Sequence, residues 1–468
     1  MHTLAVINRA SLINIGKIFS YVAAFILIFW LLFNGLPEGY EYAVFMPAAY
    51  LFCILCVLKK DEVSISQPFI MVLLVAGAFR YVIQPLLISY EGGYTGRSLV
   101  EPDLDSYRLA TILSVYELFV VSLFIYFYQN KNKHKPKNDI NISTPPVIFS
   151  FGALVIAIGM LFFNPDALSY ISFVMPNPLT KFQAVEPSFI TKLSAYTFII
   201  SKQIFAITLL VHFYKKYNKN KKLRYKIIAS FVCIVSVFIY FGVSRIDFLV
   251  SALSTYAIYR IFFGKVGFAK IALGVLVLLM MFNLITEKRE YVEVERTNSE
   301  RLLEYSQAYT GGIYNVAIGV EVKEWFPEAS SFKVLAFDFL RPVIGLNLLV
   351  KNLDIKYSNI YFNDRVWTHV DRRSQIMPMI AQSNLYFGAI FAPVLTVLFV
   401  WIGLKINDYA GSTGNVCMKY FAIFCAFRFG LVFGQNSMNL LNELSFSLIM
   451  PALIIVAFSF FQKASKPR

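Results

Sequence analysis

Residues 67–88 read QPFIMVLLVAGAFRYVIQPLLI, an apolar run holding one charged residue, Arg80. A helix rises about 1.5 Å per residue, so about 20 such residues cross a hydrocarbon layer about 30 Å thick. This run is long enough to do so. Lys59 and Lys60 precede it, and the largely acidic stretch EGGYTGRSLVEPDLD at 91–105 follows it. Basic connections stay with the cytoplasm, so the segment points outward.

The same reading extends along the chain. Runs of this kind recur at 16–36, 41–58, 108–128, 147–163, 189–213, 225–242, 246–262, 266–286, 383–403, 415–435 and 443–462. The first, without a convincing cleavage site, reads as a retained signal anchor. Lys and Arg cluster after alternate runs, as in KNKHKPK at 131–137 and KKYNKNKKLRYK at 215–226, whereas the intervening connections are acidic or nearly neutral. The expectation is an all-α polytopic integral membrane protein of about twelve transmembrane helices with both termini cytoplasmic. Composition agrees: 57% of residues are hydrophobic and 15% charged, against about 25% charged in soluble domains. Disorder is excluded, and the net charge of +15 sits mostly in loops beside spans, which argues for orientation and not nucleic acid. The cysteines fall in or beside apolar runs as small hydrophobic filler. No nucleotide-binding, zinc-protease or spaced-cysteine motif occurs, and no metal or cofactor is expected.

One connection differs in kind. Residues 287–382 form a large outer loop that divides the chain into 1–286 with nine helices, the loop itself, and 383–468 with three more. Connections of such length usually carry function. Its part SQAYTGGIYNVAIGVE reads as an amphipathic helix approaching the membrane surface, and 329–350, cut by Lys333, Asp338 and Arg341-Pro342, as an interfacial or re-entrant helix. A spanning helix there would reverse everything after it.

Charges inside apolar runs cost about 2.5 to 3.5 kcal/mol each, so Arg80, Glu117, Lys202 and Arg428 face protein or a wet cavity. Arg80 and Arg428 either bind substrate or pair with a carboxylate such as Glu117. Two outer clusters add chemistry. YFGVSRIDFLVSAL at 240–253 holds Arg245 and Asp247 in a short turn between two hydrophobic helices. WTHVDRRSQIMPMIAQSNLYFG at 367–388 holds His369, Asp371, Arg372, Arg373, Gln375, Gln382 and Asn384, running from the loop into a helix whose first turns carry amides. Polar groups at that depth suggest a cavity opening outward. Pro378 favours an extended or kinked approach that turns the arginines back over it. Arg245, Arg372 and Arg373 could then meet around one anion, since guanidinium groups grip phosphate bidentately. His369, with an ordinary pKa of about 6.5, suits a general base.

In these features the chain resembles the Wzy family of O-antigen and capsule repeat-unit polymerases, within the membrane glycosyltransferases that include the O-antigen ligases. The resemblance rests on the multi-span layout, the large outer loop, the turn GVSRID at 242–247, and Pro378, Gln382, Ser383, Asn384, Tyr386, Phe387 and Gly388 leading into a late span. An acidic residue frequent in that late motif is replaced here by Gln382, which moves the base to His369. The resemblance implies an undecaprenyl-diphosphate-linked glycan as donor and acceptor, membrane lipid around it, a chain-length regulator as partner, and a periplasm-facing site in the bacterial inner membrane. Catalysis would then fall to His369, Arg245 and Arg372, with Arg373, Asp247, Gln375, Gln382, Asn384, Arg80 and Arg428 binding substrate. Ligation to a lipid A core, or flipping of a lipid-linked oligosaccharide, are the alternatives.

Overall fold

The computed structural model describes residues 9–58, 67–131, 143–173, 188–242, 245–264, 274, 280, 297–350, 352–368 and 375–464. Among them, six helices are long and apolar enough to cross a membrane: Pro68–Glu91, Leu104–Lys131, Ile190–Asn220, Ile246–Phe263, Pro393–Ser412 and Ser437–Ala457. Shorter apolar helices cover Ala24–Asn34, Glu41–Val57 and Val147–Phe163. By length and composition this is a helical membrane protein. Its surface fits a lipid solvent, since Phe33, Phe162 and Phe163 are almost wholly exposed. The expected run at 266–286 lies outside the described residues, apart from isolated positions.

The chain forms two compact units, each assembled from separated stretches. The first comprises Met1–Pro136, Glu295–Asn407 and Ala426–Ser445, and the second Lys137–Val294, Asp408–Cys425 and Phe446–Arg468.

In the first unit the segments 35–44, 92–103 and 297–368 are all assigned to one side by the charge pattern. Arg97 pairs with Glu304 and the Asp103 amide donates to Glu321 at 2.8 Å, joining 92–103 to 297–368. Glu41 of the first segment pairs at 3.1 Å with Arg108 at the start of the helix Leu104–Lys131. The stretch expected to lie on the membrane surface instead forms a helical hairpin, Asn298–Thr310 and Ile313–Trp325. Thr297 and Glu300 cap its first arm reciprocally, and Gly311 ends that arm in a left-handed conformation (φ 64°). Ser306 donates to the Phe79 carbonyl at 3.2 Å. That contact lies about 18 Å from the Glu91 end of the long helix, near its middle. The hairpin therefore inserts between helices. Its physical reason is the second arm, IYNVAIGVEV, where Ile313 to Gly319, Glu321 and Val322 are all buried and no polar face remains for a surface. Gly311 and Gly434 make the apex fit, because a Cβ on either would collide with backbone beside the other, at Phe433 and Tyr309 respectively.

Residues 329–350 do not span. They form the helix Phe332–Leu340 and the single turn Asn347–Val350. Nine helical residues reach only about 14 Å, and Pro342 cannot continue the ladder.

In the second unit the helix Leu223–Phe238 stops short of the expected 242, and Ile239–Phe241 pairs antiparallel with Ile171–Phe173. Lys202 accounts for the break. Its ammonium donates to the Ser236 carbonyl at 2.7 Å and the Ile239 carbonyl at 2.9 Å, satisfying groups that a helix end leaves unpaired.

Candidate functional site

The polar segment 367–378 connects two helices of the first unit, Ser358–Val366 and Met379–Phe391. Its leading end is held by Arg365, which is 1% exposed and pairs with the buried Glu321. The same guanidinium donates to the Ser98 hydroxyl at 3.1 Å and the Val100 carbonyl at 3.0 Å, and lies 4.3 Å over the Trp325 ring. Its trailing end is held by amides. The Gln375 backbone donates to Asn363 Oδ1 at 2.9 Å and accepts from Asn363 Nδ2 at 2.9 Å and Asn359 Nδ2 at 3.1 Å. Asn359 Oδ1 also accepts from the Met377 amide at 2.7 Å. Asn359 and Asn363 stand four apart, hence on one face of their helix. Pro378 is extended (φ −61°, ψ 147°), as the sequence expects, and opens the next helix. His369, Asp371, Arg372 and Arg373 lie outside the described residues.

Immediately beyond Pro378, Gln382 and Tyr386 meet Asp338. Gln382 Nε2 donates to Asp338 Oδ2 at 2.6 Å and the Tyr386 hydroxyl donates to the same oxygen at 2.7 Å. The Ser358 amide donates to Oδ1 at 3.1 Å, and the Ser358 hydroxyl to Oδ2. Gln382 extends the network to Ser437, accepting from its amide at 2.8 Å and donating to its hydroxyl at 2.9 Å. Asp338 and Gln382 are fully buried, whereas Tyr386 is half-buried. Burial pushes the Asp338 carboxyl above the usual carboxylate range, against the pull of the Ser358, Tyr386 and Gln382 donors. Two residues past Tyr386, Gly388 leaves the helical region (φ 74°, ψ 174°) and kinks the chain. The expected single helix at 383–403 is thus two.

Asn384 is half-buried and, two positions from Gln382, occupies a different face of the helix. Gln375 lines a narrow cleft with Tyr94, Arg97, Glu304, Gln307 and Tyr314.

Of the described charges inside apolar runs, Arg80, Glu117 and Arg428 are each paired with an opposite charge, whereas Lys202 is met by backbone carbonyls. Arg80 meets Glu117 at 2.9 Å with both side chains wholly enclosed, and Thr396 donates to the other Glu117 oxygen at 2.5 Å. Arg428 meets Glu443 at 2.7 Å. Of the two roles open to these arginines, the geometry matches pairing with a carboxylate, and neither bonds to the Asp338 group.

Arg245 begins the helix Arg245–Phe263 of the second unit; its side chain is outside the described set. Asp247 is half-buried in the first turn, where a carboxylate suits the positive end of the helix dipole. The turn before Arg245 is anchored by the strand pair, by the Gly242 amide donating to the Tyr170 carbonyl at 2.6 Å, and by Ser172 donating to the Gly242 carbonyl.

Sequence reasoning missed Ser358, Asn359, Asn363, Glu321 and Arg365. It noticed Asp338 only as an interruption of an apolar segment, and that solitary carboxylate in LAFDFL was the available signal. Among the described residues no cluster of His, Cys, Asp and Glu is arranged to hold a metal ion. Comparison with known protein families, curated proteins and solved structures finds no match for this chain.

Proposed function

We propose that the chain polymerises polyprenyl-diphosphate-linked oligosaccharide repeat units into O-antigen or capsular polysaccharide. It would do so from the outer face of a bacterial inner membrane, through about twelve spans with both termini cytoplasmic. The observation that carries the reading is the attachment of segment 367–378. A polar, arginine-bearing segment is held at one end by the Arg365–Glu321 pair and at the other by Asn359 and Asn363, beside the buried Asp338, Gln382 and Tyr386. Anchored ends suit a segment that carries groups for substrate.

In this reading the glycan on one lipid diphosphate is the donor and the terminal hydroxyl of a second lipid-linked unit attacks its anomeric carbon. Arg245, Arg372 and Arg373 are the cations that the sequence offers for the charge that develops on a departing diphosphate, without need of a metal. His369 is the base that the sequence offers, and Asp247, Gln375 and Asn384 are further polar positions for substrate. Membrane lipid, the two lipid-linked glycans and a chain-length regulator are the expected partners.

Deletion of the gene and gel analysis of surface glycans tests the reading. Collapse of the ladder to a single repeat on the core supports a polymerase. Loss of even one repeat points to a ligase or flippase. Chain extension by the purified protein from two detergent-dispersed lipid-linked units, with no membrane to cross, separates an enzyme from a flippase.

A further inference from the structure

Among the described residues three acidic side chains are buried: Glu117, Glu321 and Asp338. The first two each carry an arginine, Arg80 and Arg365. Asp338 does not. Every group bonded to it is neutral: the Ser358 amide and hydroxyl, Gln382 and Tyr386. A buried carboxylate compensated only by neutral donors keeps its charge at a disadvantage, and accepting a proton would break no ion pair. The other titratable and charged groups on elements around it are engaged or turned outward. Glu443 meets Arg428, Arg365 meets Glu321 and Asp364 meets Lys356, while the Arg341 guanidinium lies 4.7 Å over the Tyr357 ring, and Glu328 and Lys333 are exposed. Tyr386 is the one titratable side chain bonded to Asp338. It is also the member of the pair that is not fully buried, Tyr386 being half-buried and Asp338 wholly enclosed.

We propose that Tyr386 and Asp338 together receive the proton of the acceptor hydroxyl in the transfer reaction, Tyr386 as the catalytic residue and Asp338 as the positioning residue behind it. This rests on the polymerase reading above and takes the base from His369. The acceptor oxygen bonds to the anomeric carbon as the bond from that carbon to the diphosphate oxygen breaks, and its electron pair leaves with the diphosphate. The hydroxyl proton passes to the Tyr386 oxygen while the Tyr386 proton moves to Asp338 Oδ2. The carboxyl then releases it to solvent by the reverse path. Because burial holds the carboxyl above its usual range, it accepts this proton more readily than an exposed carboxylate would.

The test uses the full chain in detergent, with lipid-linked repeat units extracted from a strain lacking the gene. Tyr386→Phe removes only the phenol oxygen, and should lower kcat about 100-fold or more with little change in donor KM. Asp338→Asn should do the same. The wild-type kcat should rise with pH through an apparent pKa above the ordinary carboxylate value of about 4, and Asp338→Asn should abolish that limb. Tyr116→Phe, which loses a phenol bonded to the Ile390 carbonyl, serves as the control and should stay near wild type. A Tyr386→Phe enzyme with wild-type kcat overturns the proposal and leaves Asp338 a clasp between helices. Infrared spectroscopy supplies a readout independent of activity and of Asp338→Asn folding: a carboxylic C=O band should titrate above the ordinary range and shift in Tyr386→Phe. Absence of that band overturns the pair. If the band behaves as expected but wild-type protein makes no polymer from these units, the pair stands as a proton site and the polymerase reading falls.

Discussion

Two carboxylates in the first unit, Glu117 and Asp338, are equally enclosed yet differ in what surrounds them. Glu117 has Arg80 at 2.9 Å and Thr396 on its other oxygen, in the middle of two long helices. Asp338 sits in a nine-residue helix and collects serine, glutamine and tyrosine. The first arrangement locks charge to charge, so changing either protonation state strands its partner. The second can change charge while its neighbours stay satisfied. A buried carboxylate is therefore not by itself a functional sign; the absence of a cation beside it is what separates a scaffold position from a chemical one.

The largest effect should come from breaking the scaffold pair. Arg80→Ala is expected to destabilise the protein by about 3–5 kcal/mol, seen as loss of folded protein in thermal unfolding, because Glu117 is left charged and unpaired. The double variant Arg80→Met with Glu117→Leu should recover most of it. A folded Arg80→Ala protein that has lost only activity would move Arg80 into the substrate site and dissolve the contrast.

Next in size are the outer arginines. Arg245→Ala and Arg372→Ala should each reduce polymer about 100-fold with normal membrane insertion, measured by glycan gels and membrane fractionation. Lysine at either position should rescue poorly, since it lacks the bidentate fork. Full rescue by both lysines would reduce the requirement to positive charge.

His369→Gln tests the same contrast more finely. With Tyr386 and Asp338 taking the proton, His369→Gln should lower kcat no more than about tenfold, less than Tyr386→Phe. The reverse ranking would return the base to His369. The smallest effect belongs to the anchors: Asn363→Ala removes the bonds to Gln375 and should cost about 1–2 kcal/mol and raise donor KM. An unchanged KM would mean the segment keeps its place without them.

Sidedness is checked by cysteine labelling in a cysteine-free background. Lys219 should be protected in intact spheroplasts, while Glu328 and Asp354 should react with an impermeant thiol reagent. Glu328 and Asp354 are exposed, whereas serines in the same loop such as Ser306 and Ser358 are buried and would report falsely.

Much of the helical layout was legible because its signal is local. Residues 147–163 are helical over the expected range, and the run at 67–88 is matched but for its first residue by Pro68–Glu91, since apolar length and flanking lysines are properties of consecutive residues. The misjudged elements are those whose neighbours decide them. IYNVAIGVEV has the composition of a surface helix only if one face stays free, and its contacts leave none. Gly388 was visible as a letter, but its kink was not, since a glycine also tolerates a helix.

The site divides in the same way. Pro378, Gln382 and Tyr386 could be singled out from sequence because they share a few turns of chain. Their carboxylate could not, because Asp338 reaches them from more than forty positions away in the chain, with Gln382 separated from it by 44 residues. Sequence alone determined that this protein lives among apolar helices and that each enclosed charge needs compensation, since transfer energies attach to single residues. Which group supplies that compensation, arginine for Glu117 and a phenol and an amide for Asp338, was decided only by tertiary structure, because pairing depends on the distances between segments that folding brings together.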